Sequence, residues 1–452
     1  MGEVFFPKDN SAAQSLSYWG VFACGFVVRP IGALLFGHFG DTLGRTKCMV
    51  ISIIFMAVPT VIIGCLPTYN VGSYTAGIAA PILLAIMRLI QGLAMGGEFG
   101  SAVIYISELA STKYRGRLVT ALQCSVNVGM ILATLLVMLL NNTVSAHDML
   151  IWGWRIPFLC AFVTAILGFV LRLGMPEPHA FLAAARAEKA YLENRDPSME
   201  LDTLPTHKSE MSLKDSDSDD GEPEEGVLSR FQGHTHSKVP IFRLIRNNWA
   251  GIIIQVMFMA WVSAAFYLTV SWLMVGLRKG GPMISVIESQ GILIVSLVFN
   301  AVGLVATGWG FDLGLRSIYA NALVVVIGMG VGAGVFYGAW TSAVAAWTLT
   351  SLMQLIIGSA MALVVLPCTR IYEPLERTSG FSFGYNTGYG ILGGLSPMIV
   401  TSIKNDLGAT THIANFAPEF WLLGLGVLSV IGCFLLKAYM PRLNKRFVGH
   451  LE

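Results

Sequence analysis

Arg29 and Glu98 are opposite charges set inside long apolar stretches, and such a pair at one depth of a membrane can hold a carboxylate or exchange a proton. A helix rises about 1.5 Å per residue through an apolar core of about 30 Å. Glu98 precedes Glu108 by ten residues and Arg29 precedes Asp41 by twelve, which places them about 15 Å and about 18 Å from the same charged edge. A carboxyl in that setting changes charge state when its arginine neighbour moves, so a rearrangement between two states would load and release a proton. Arg29 would then pair alternately with Glu98 or with a bound carboxylate. A buried structural ion pair fits the same residues, and the sequence leaves both readings open. The same ruler sets Asn127, Gln255, Asn300 and Asn386 near the middle of their segments, as a polar layer for a solute or as hydrogen bonds between helices. On a helix, Arg88, Gln91, Met95 and Glu98 share one face, while Gly92, Gly96 and Gly100 form a second that admits a close neighbour. Arg88 falls near the far mouth, where it would attract anions.

Two short runs mark the charged edge: Gly37-His-Phe-Gly-Asp41-Thr-Leu-Gly-Arg45 and Gly308-Trp-Gly-Phe-Asp312-Leu-Gly-Leu-Arg316, 271 residues apart. The same shift makes Asn300 the repeat mate of Arg29. Each run lies between two apolar stretches, so the chain reads as two related halves with a glycine-rich, acidic turn in each. A carboxylate there can accept from the positive end of a helix in the other half, as a latch, with Glu108, Arg115 and Arg377 as further partners. The alternative is topological: the loop arginines only hold their loop on one side.

Elements long enough to position these groups are plain in the composition. The chain is 54% hydrophobic and 12% charged, where soluble domains carry about 25% charged residues, and its mean hydropathy is +0.66. About eleven apolar segments reach spanning length, among them Trp249–Val275 and Phe381–Ile403. These imply an all-α membrane protein of two pseudo-symmetric helical bundles: residues 1–175, a linker 176–246 too acidic to build a core, residues 247–440, and a tail 441–452. Lysine and arginine placement puts the linker and C-terminus in the cytosol and the Asn141 sequon outside. A net charge of +2 predicts no nucleic-acid partner. No glycine-rich phosphate loop follows a strand, which argues against an ATP-driven pump. The seven cysteines have no paired spacing and read as small buried hydrophobes. His234 and His236 lie in the linker and are not read as a metal site; Ser212 and Ser216 there could be phosphorylated.

The first half also carries Val28-Arg29-Pro30-Ile-Gly32, Arg88-Leu-Ile-Gln91-Gly92, Gly96-Gly97-Glu98, Glu108 followed by Arg115-Gly116, and Trp152-Gly-Trp154-Arg155-Ile-Pro157. The second carries Gly384-Tyr385-Asn386-Thr-Gly388 with Gly393-Gly394 and Pro397. Together these resemble the metabolite:proton symporter family of the major facilitator superfamily. The resemblance implies twelve spans and proton-coupled uptake of an organic acid or zwitterionic osmolyte across the plasma membrane. It implies a small-molecule substrate, protons and the bilayer as partners, a monomer, no cofactor or metal, and no enzymatic activity. The second run departs from the family in lacking glycine directly before Arg316. The chain also begins where the family has its first outside loop, so the expectation is a transporter missing its first helix and unable to couple transport alone. A facilitator of a neutral solute such as a sugar, or a non-transporting receptor-like relic, are the rival classes.

Overall fold

Apolar runs in a bilayer must satisfy their backbone groups internally, and a helix does so within one segment. In the computed structural model, which describes residues 2–5, 20–21, 23–68, 74–111, 113–177, 240–280, 284–372, 376–407 and 416–446, every regular element is helical. In chain order these are α1 (Ala23–Thr42), α2 (Arg45–Cys65), α3 (Tyr74–Leu109), α4 (Arg115–Thr143), α5 (Ile156–Leu173), α6 (Pro240–Phe258), α7 (Ala260–Leu277), α8 (Val286–Asp312), α9 (Ser317–Gly338) and α10 (Ala343–Thr369). Next, α11 starts as Arg377–Asn386 and continues through Ser396–Asp406, and α12 is Ala417–Arg446. Most of the proposed linker, with His234, His236, Ser212 and Ser216, lies outside the described residues, as does the tail from 447.

Ten helices among the described residues are long and apolar enough to cross a membrane. Two expected spans differ from a plain helix. The segment Trp249–Val275 is divided at Met259, between α6 and α7, where φ is −104° and ψ 7°. Ser429 of α12 donates to the Phe258 carbonyl at 2.7 Å, replacing the partner that this carbonyl loses at the break. The segment Phe381–Ile403 widens into a π-helix at Thr387–Gly393, which holds glycines at 388, 390 and 393 and is followed by Gly394. A second π-helical turn, Leu268–Leu273, lies in α7.

In the first bundle α3 packs on α1 and α2, and α5 on α2; in the second α8 and α9 pack on α10, and α12 on α9 and α6. The seam between bundles is made by α4 against α8 and by α11 against α1 and α3. Glycines set these approaches: side chains at Gly92 or Gly96 would overlap the carbonyls of Gly25 or Arg29 in α1. The outward faces are apolar, and α5 buries none of its residues. Cysteines divide accordingly: Cys48, Cys368 and Cys433 are buried, whereas Cys24, Cys65 and Cys160 are exposed, which corrects the expectation that all are interior.

Gly100 of α3 meets the second bundle directly, since a Cβ there would lie 2.8 Å from the Ser382 Cβ. Gly100→Val is therefore expected to wedge the bundles apart while leaving each one folded. Cys124 of α4 reports the seam, because its Sγ lies 3.8 Å from the Ala301 carbonyl of α8. With the other cysteines replaced, Cys124 should alkylate several-fold faster in the Gly100→Val background; an unchanged rate would show that the seam absorbs the added methyls.

Candidate functional site

Arg29 stands at the first turn of the regular helix after Val28, with Pro30 fixing the entry. Its guanidinium spans the seam. Nη2 donates to Met95 Sδ at 3.2 Å, Nη1 lies 3.4 Å from the Tyr267 hydroxyl of the second bundle, and Cζ sits 4.0 Å over the Phe26 ring. No carboxylate partners it among the described residues, and its Nε is buried without an acceptor. Aromatic rings line the same region: Phe99 stacks on Tyr385 at 4.6 Å, Tyr385 on Tyr389 at 4.4 Å, and Phe26 meets Tyr267 edge-on at 5.1 Å. Both π-helical turns border this place. Tyr267 immediately precedes one, and Gly390 within the other leaves room for the Phe26 carbonyl and the Arg29 side chain.

Glu98 does not face Arg29. Its Oε1 pairs with Arg172 of α5 at 2.7 Å, and Arg172 also donates to the Met49 carbonyl of α2 at 3.3 Å. The reason is helical phase: Gly96 packs against the Arg29 backbone, and a residue two positions on points roughly the opposite way. Sequence reasoning missed Arg172, although a lone arginine in the last turn of an apolar helix was a visible signal.

The expected polar layer divides in two. Asn127 donates to Asn300 Oδ1 across the seam at 2.7 Å, Asn300 donates to Gln354 Oε1 at 2.8 Å, and Asn386 donates to the Gly96 carbonyl across the seam at 2.6 Å. Gln255, the fourth member, stays within one bundle, as do Arg88 and Gln91 of the α3 face. Arg88 donates to Gln91 at 3.2 Å, Gln91 to Thr60 at 2.6 Å, and Gln255 accepts from the Tyr372 hydroxyl at 2.6 Å.

At the charged end, Asp41 and Asp312 occupy the last turns of α1 and α8, not loops. The turns are made just beyond them, at Gly44 (φ 111°) and Gly314 (φ 91°), the only described glycines with positive φ. Gly37 and Gly308 are helical and instead allow cross-bundle approach, to Ser379 and Thr120. Each acid caps a helix of the other bundle. Asp41 accepts from the Thr378 and Ser379 N–H groups at 3.3 and 2.9 Å and from Ser379 Oγ at 2.6 Å, at the start of α11. Asp312 accepts from the Gly116 N–H at 3.0 Å and from Arg117 Nε at 2.6 Å, at the start of α4.

Their surroundings differ. Beside Asp41, Arg45 is 0% exposed and bridges Asp41 at 3.3 Å and Glu108 at 3.6 Å, and Arg377 closes on Glu108 at 3.4 Å. Glu177 accepts from the N–H groups of Arg45 and Thr46 at 2.9 and 3.0 Å, a cap that sequence reasoning did not identify. Beside Asp312 the partner is Arg117, 44% exposed, and neither Arg115 nor Arg316 pairs with it. Arg115 reaches back to the Ala110 carbonyl at 3.4 Å, and Arg316 is exposed. A cavity of about 390 Å³ opens next to Asp312, with Arg115 and Arg370 in its wall. Desolvation there, and then the like charge of Arg115, push the Arg370 guanidinium below its ordinary range.

Chemically, the arrangement offers a guanidinium and aromatic rings at the seam, with reciprocal acid caps that hold the two bundles together at one end. The fold matches that of the proton:xylose symporter XylE with a TM-score of 0.72, at 17% identity, over 97% of this chain and 90% of that one. In sequence the chain is 40% identical over 174 residues to the alpha-ketoglutarate permease of Escherichia coli K12, covering 38% of this chain and 39% of that protein. It is 38% identical over 181 residues to the proline/betaine transporter of the same strain, covering 40% and 35%. The aligned part thus spans about two fifths of the length of the curated relatives it matches. A family model described as "Sugar (and other) transporter" matches residues 3–306, more than half of the sequence. With this family match and its ten membrane-length helices among the described residues, the chain is a multi-pass membrane protein that belongs to the sugar (and other) transporter family.

Proposed function

We propose that the protein is a proton-coupled symporter of a small carboxylate-bearing solute, an organic acid or a zwitterionic osmolyte, working by alternating access between its two bundles. The observation that carries this reading is Arg29: a guanidinium at the bundle seam, touching Tyr267 of the opposite bundle and lacking a carboxylate partner among the described residues. A solute carboxylate would satisfy it. The surrounding rings of Phe26, Phe99, Tyr267, Tyr385 and Tyr389 suit the cationic end of a zwitterion, since a ring face attracts a cation. Ketoglutarate, proline and betaine, the solutes in the relatives' names, all carry a carboxylate. Glu98 is the acid proposed for coupling, with Arg172 as its counter-ion in place of Arg29. Asp41, Arg45, Glu108 and Arg377, and Asp312 with Arg117, are proposed as a cytosolic latch whose release opens the inner face.

The test is uptake into vesicles with and without an imposed inward proton gradient, across anionic, zwitterionic and neutral solutes. A carboxylate-bearing solute should be accumulated several-fold more with the gradient, and Glu98→Gln should remove that acceleration while uptake down the solute's own gradient persists. Uptake of a neutral sugar alone, indifferent to the gradient, would overturn the symport reading. The proposed orientation, with residues 200–235 in the cytosol, fails if an impermeant thiol reagent labels a cysteine placed there in intact cells.

A further inference from the structure

Transport through the seam at Arg29 leaves the cavity beside Asp312 without a role. Its wall joins Arg115, at the start of α4 in the first bundle, to Arg370, just past the end of α10 in the second. Neither arginine has a carboxylate partner among the described residues. Arg370 makes no side-chain hydrogen bond there, and Arg115 makes one long bond to a carbonyl while its Nε is buried without an acceptor. Asp312 is the one carboxylate in the wall, and it is already engaged by the Gly116 N–H and by Arg117. Ser317 and Ile318 also line the space, and they open α9, whose N-cap residue Arg316 gives no side-chain cap. Two like charges and a hydroxyl thus line one cavity beside a helix start without a side-chain cap, and Asp312, the one carboxylate there, is already bonded to Gly116 and Arg117.

We propose that this cavity binds a phosphate-type oxyanion between Arg115 and Arg370, and that the bound anion ties the two bundles together at this end of the molecule. Guanidinium groups match phosphate oxygens in forked pairs, and the α9 N-terminus adds a favourable dipole. Leu366, Pro367 and Met440 make the rest of the wall apolar, a surface that a phospholipid would cover with its glycerol and upper acyl chain. Free phosphate and a phospholipid headgroup share the recognising chemistry. Because the site takes one arginine from each bundle, occupancy favours the arrangement that keeps the bundles adjacent.

The purified full chain in uncharged detergent supplies the test. One arm follows its thermal midpoint against inorganic phosphate at constant ionic strength. The second measures retention of phosphatidylglycerol over phosphatidylcholine by native mass spectrometry. A saturable midpoint rise assigns a free oxyanion, and selective lipid retention without that rise assigns a headgroup. In either case Arg370→Gln should weaken binding about tenfold or more, as expected for lost charge-assisted bonds, and Arg370→Lys should recover part of it. Ser317→Ala, a smaller change in the same wall, should give a smaller loss and carries the comparison if Arg370→Gln does not fold. Absence of both responses, or responses unchanged in these variants, would overturn the site. Alkylation of Cys124 at the seam should slow several-fold over the same ligand range; binding without that slowing would overturn the bridging role.

Discussion

Asp41→Ala should be the most damaging single change at the charged end, destabilising the arrangement by about 3–5 kcal/mol, the usual cost of breaking a buried charge network by removing one partner. The carboxylate is fully buried and serves two purposes at once: it balances Arg45, and it caps the start of α11 through Thr378 and Ser379. Its removal leaves the enclosed Arg45 relying more heavily on Glu108, which is already shared with Arg377. Asp41→Asn, which keeps the size and part of the hydrogen bonding, should be milder and should lower maximal turnover more than solute affinity, because it alters the balance between states and not the site at Arg29. Asp312→Asn should cost less than Asp41→Asn, since Arg117 is largely solvated and surface ion pairs contribute about 0–1 kcal/mol. Thermal unfolding in detergent orders the three variants. Equal losses at Asp41 and Asp312 would mean that the two caps are energetically equivalent despite their different burial.

Arg29→Gln should abolish recognition of a carboxylate-bearing solute, with affinity falling about a hundredfold, as expected when two charge-assisted hydrogen bonds are lost. Arg29→Lys should recover only part of this, because an ammonium keeps the charge but not the planar fork. Stability should change little in comparison. The guanidinium has no anionic partner among the described residues, so its loss strands no opposite charge, and its aliphatic stem is replaced in part by that of glutamine. Titration of the purified protein with glycine betaine and with ketoglutarate, against a neutral sugar as control, measures the effect. A variant that binds both carboxylates as well as the parent protein would place the solute site elsewhere.

Much of this architecture was legible in the sequence because it rests on local rules. Helices follow from apolar length, and the glycine face of α3 follows from spacing by four. The pairing of two related halves follows from runs 271 residues apart. That each acid would meet a helix N-terminus in the opposite bundle was also within reach, since a carboxylate beside an uncapped helix start has a defined physical use. Even the inequality of the two caps has a sequence origin. Gly44 directly precedes Arg45, so the left-handed turn delivers that arginine into the first turn of α2 and inward; Gly314 comes two residues before Arg316, which is left exposed as the N-cap of α9.

Partnership across helices was not legible. Depth along a helix is a one-dimensional quantity, and it placed Arg29 and Glu98 at similar levels, but the angle between α1, α3 and α5 decided that Glu98 turns to Arg172 and Arg29 to Tyr267. The same holds for the mid-span amides: Asn127 and Asn386 cross the seam, while Gln255, equally polar and set at mid-depth by the same counting, bonds within its own bundle. The breaks at Met259 and Thr387–Gly393 likewise depend on what presses against them, Ser429 in one case and the Phe26–Arg29 strip in the other. The sequence by itself determined the helices, the duplication and the charged edge, because each depends on neighbours along the chain. Which buried polar groups meet was decided only by the tertiary structure, because rotation about a helix axis is set by the packing of all its neighbours at once.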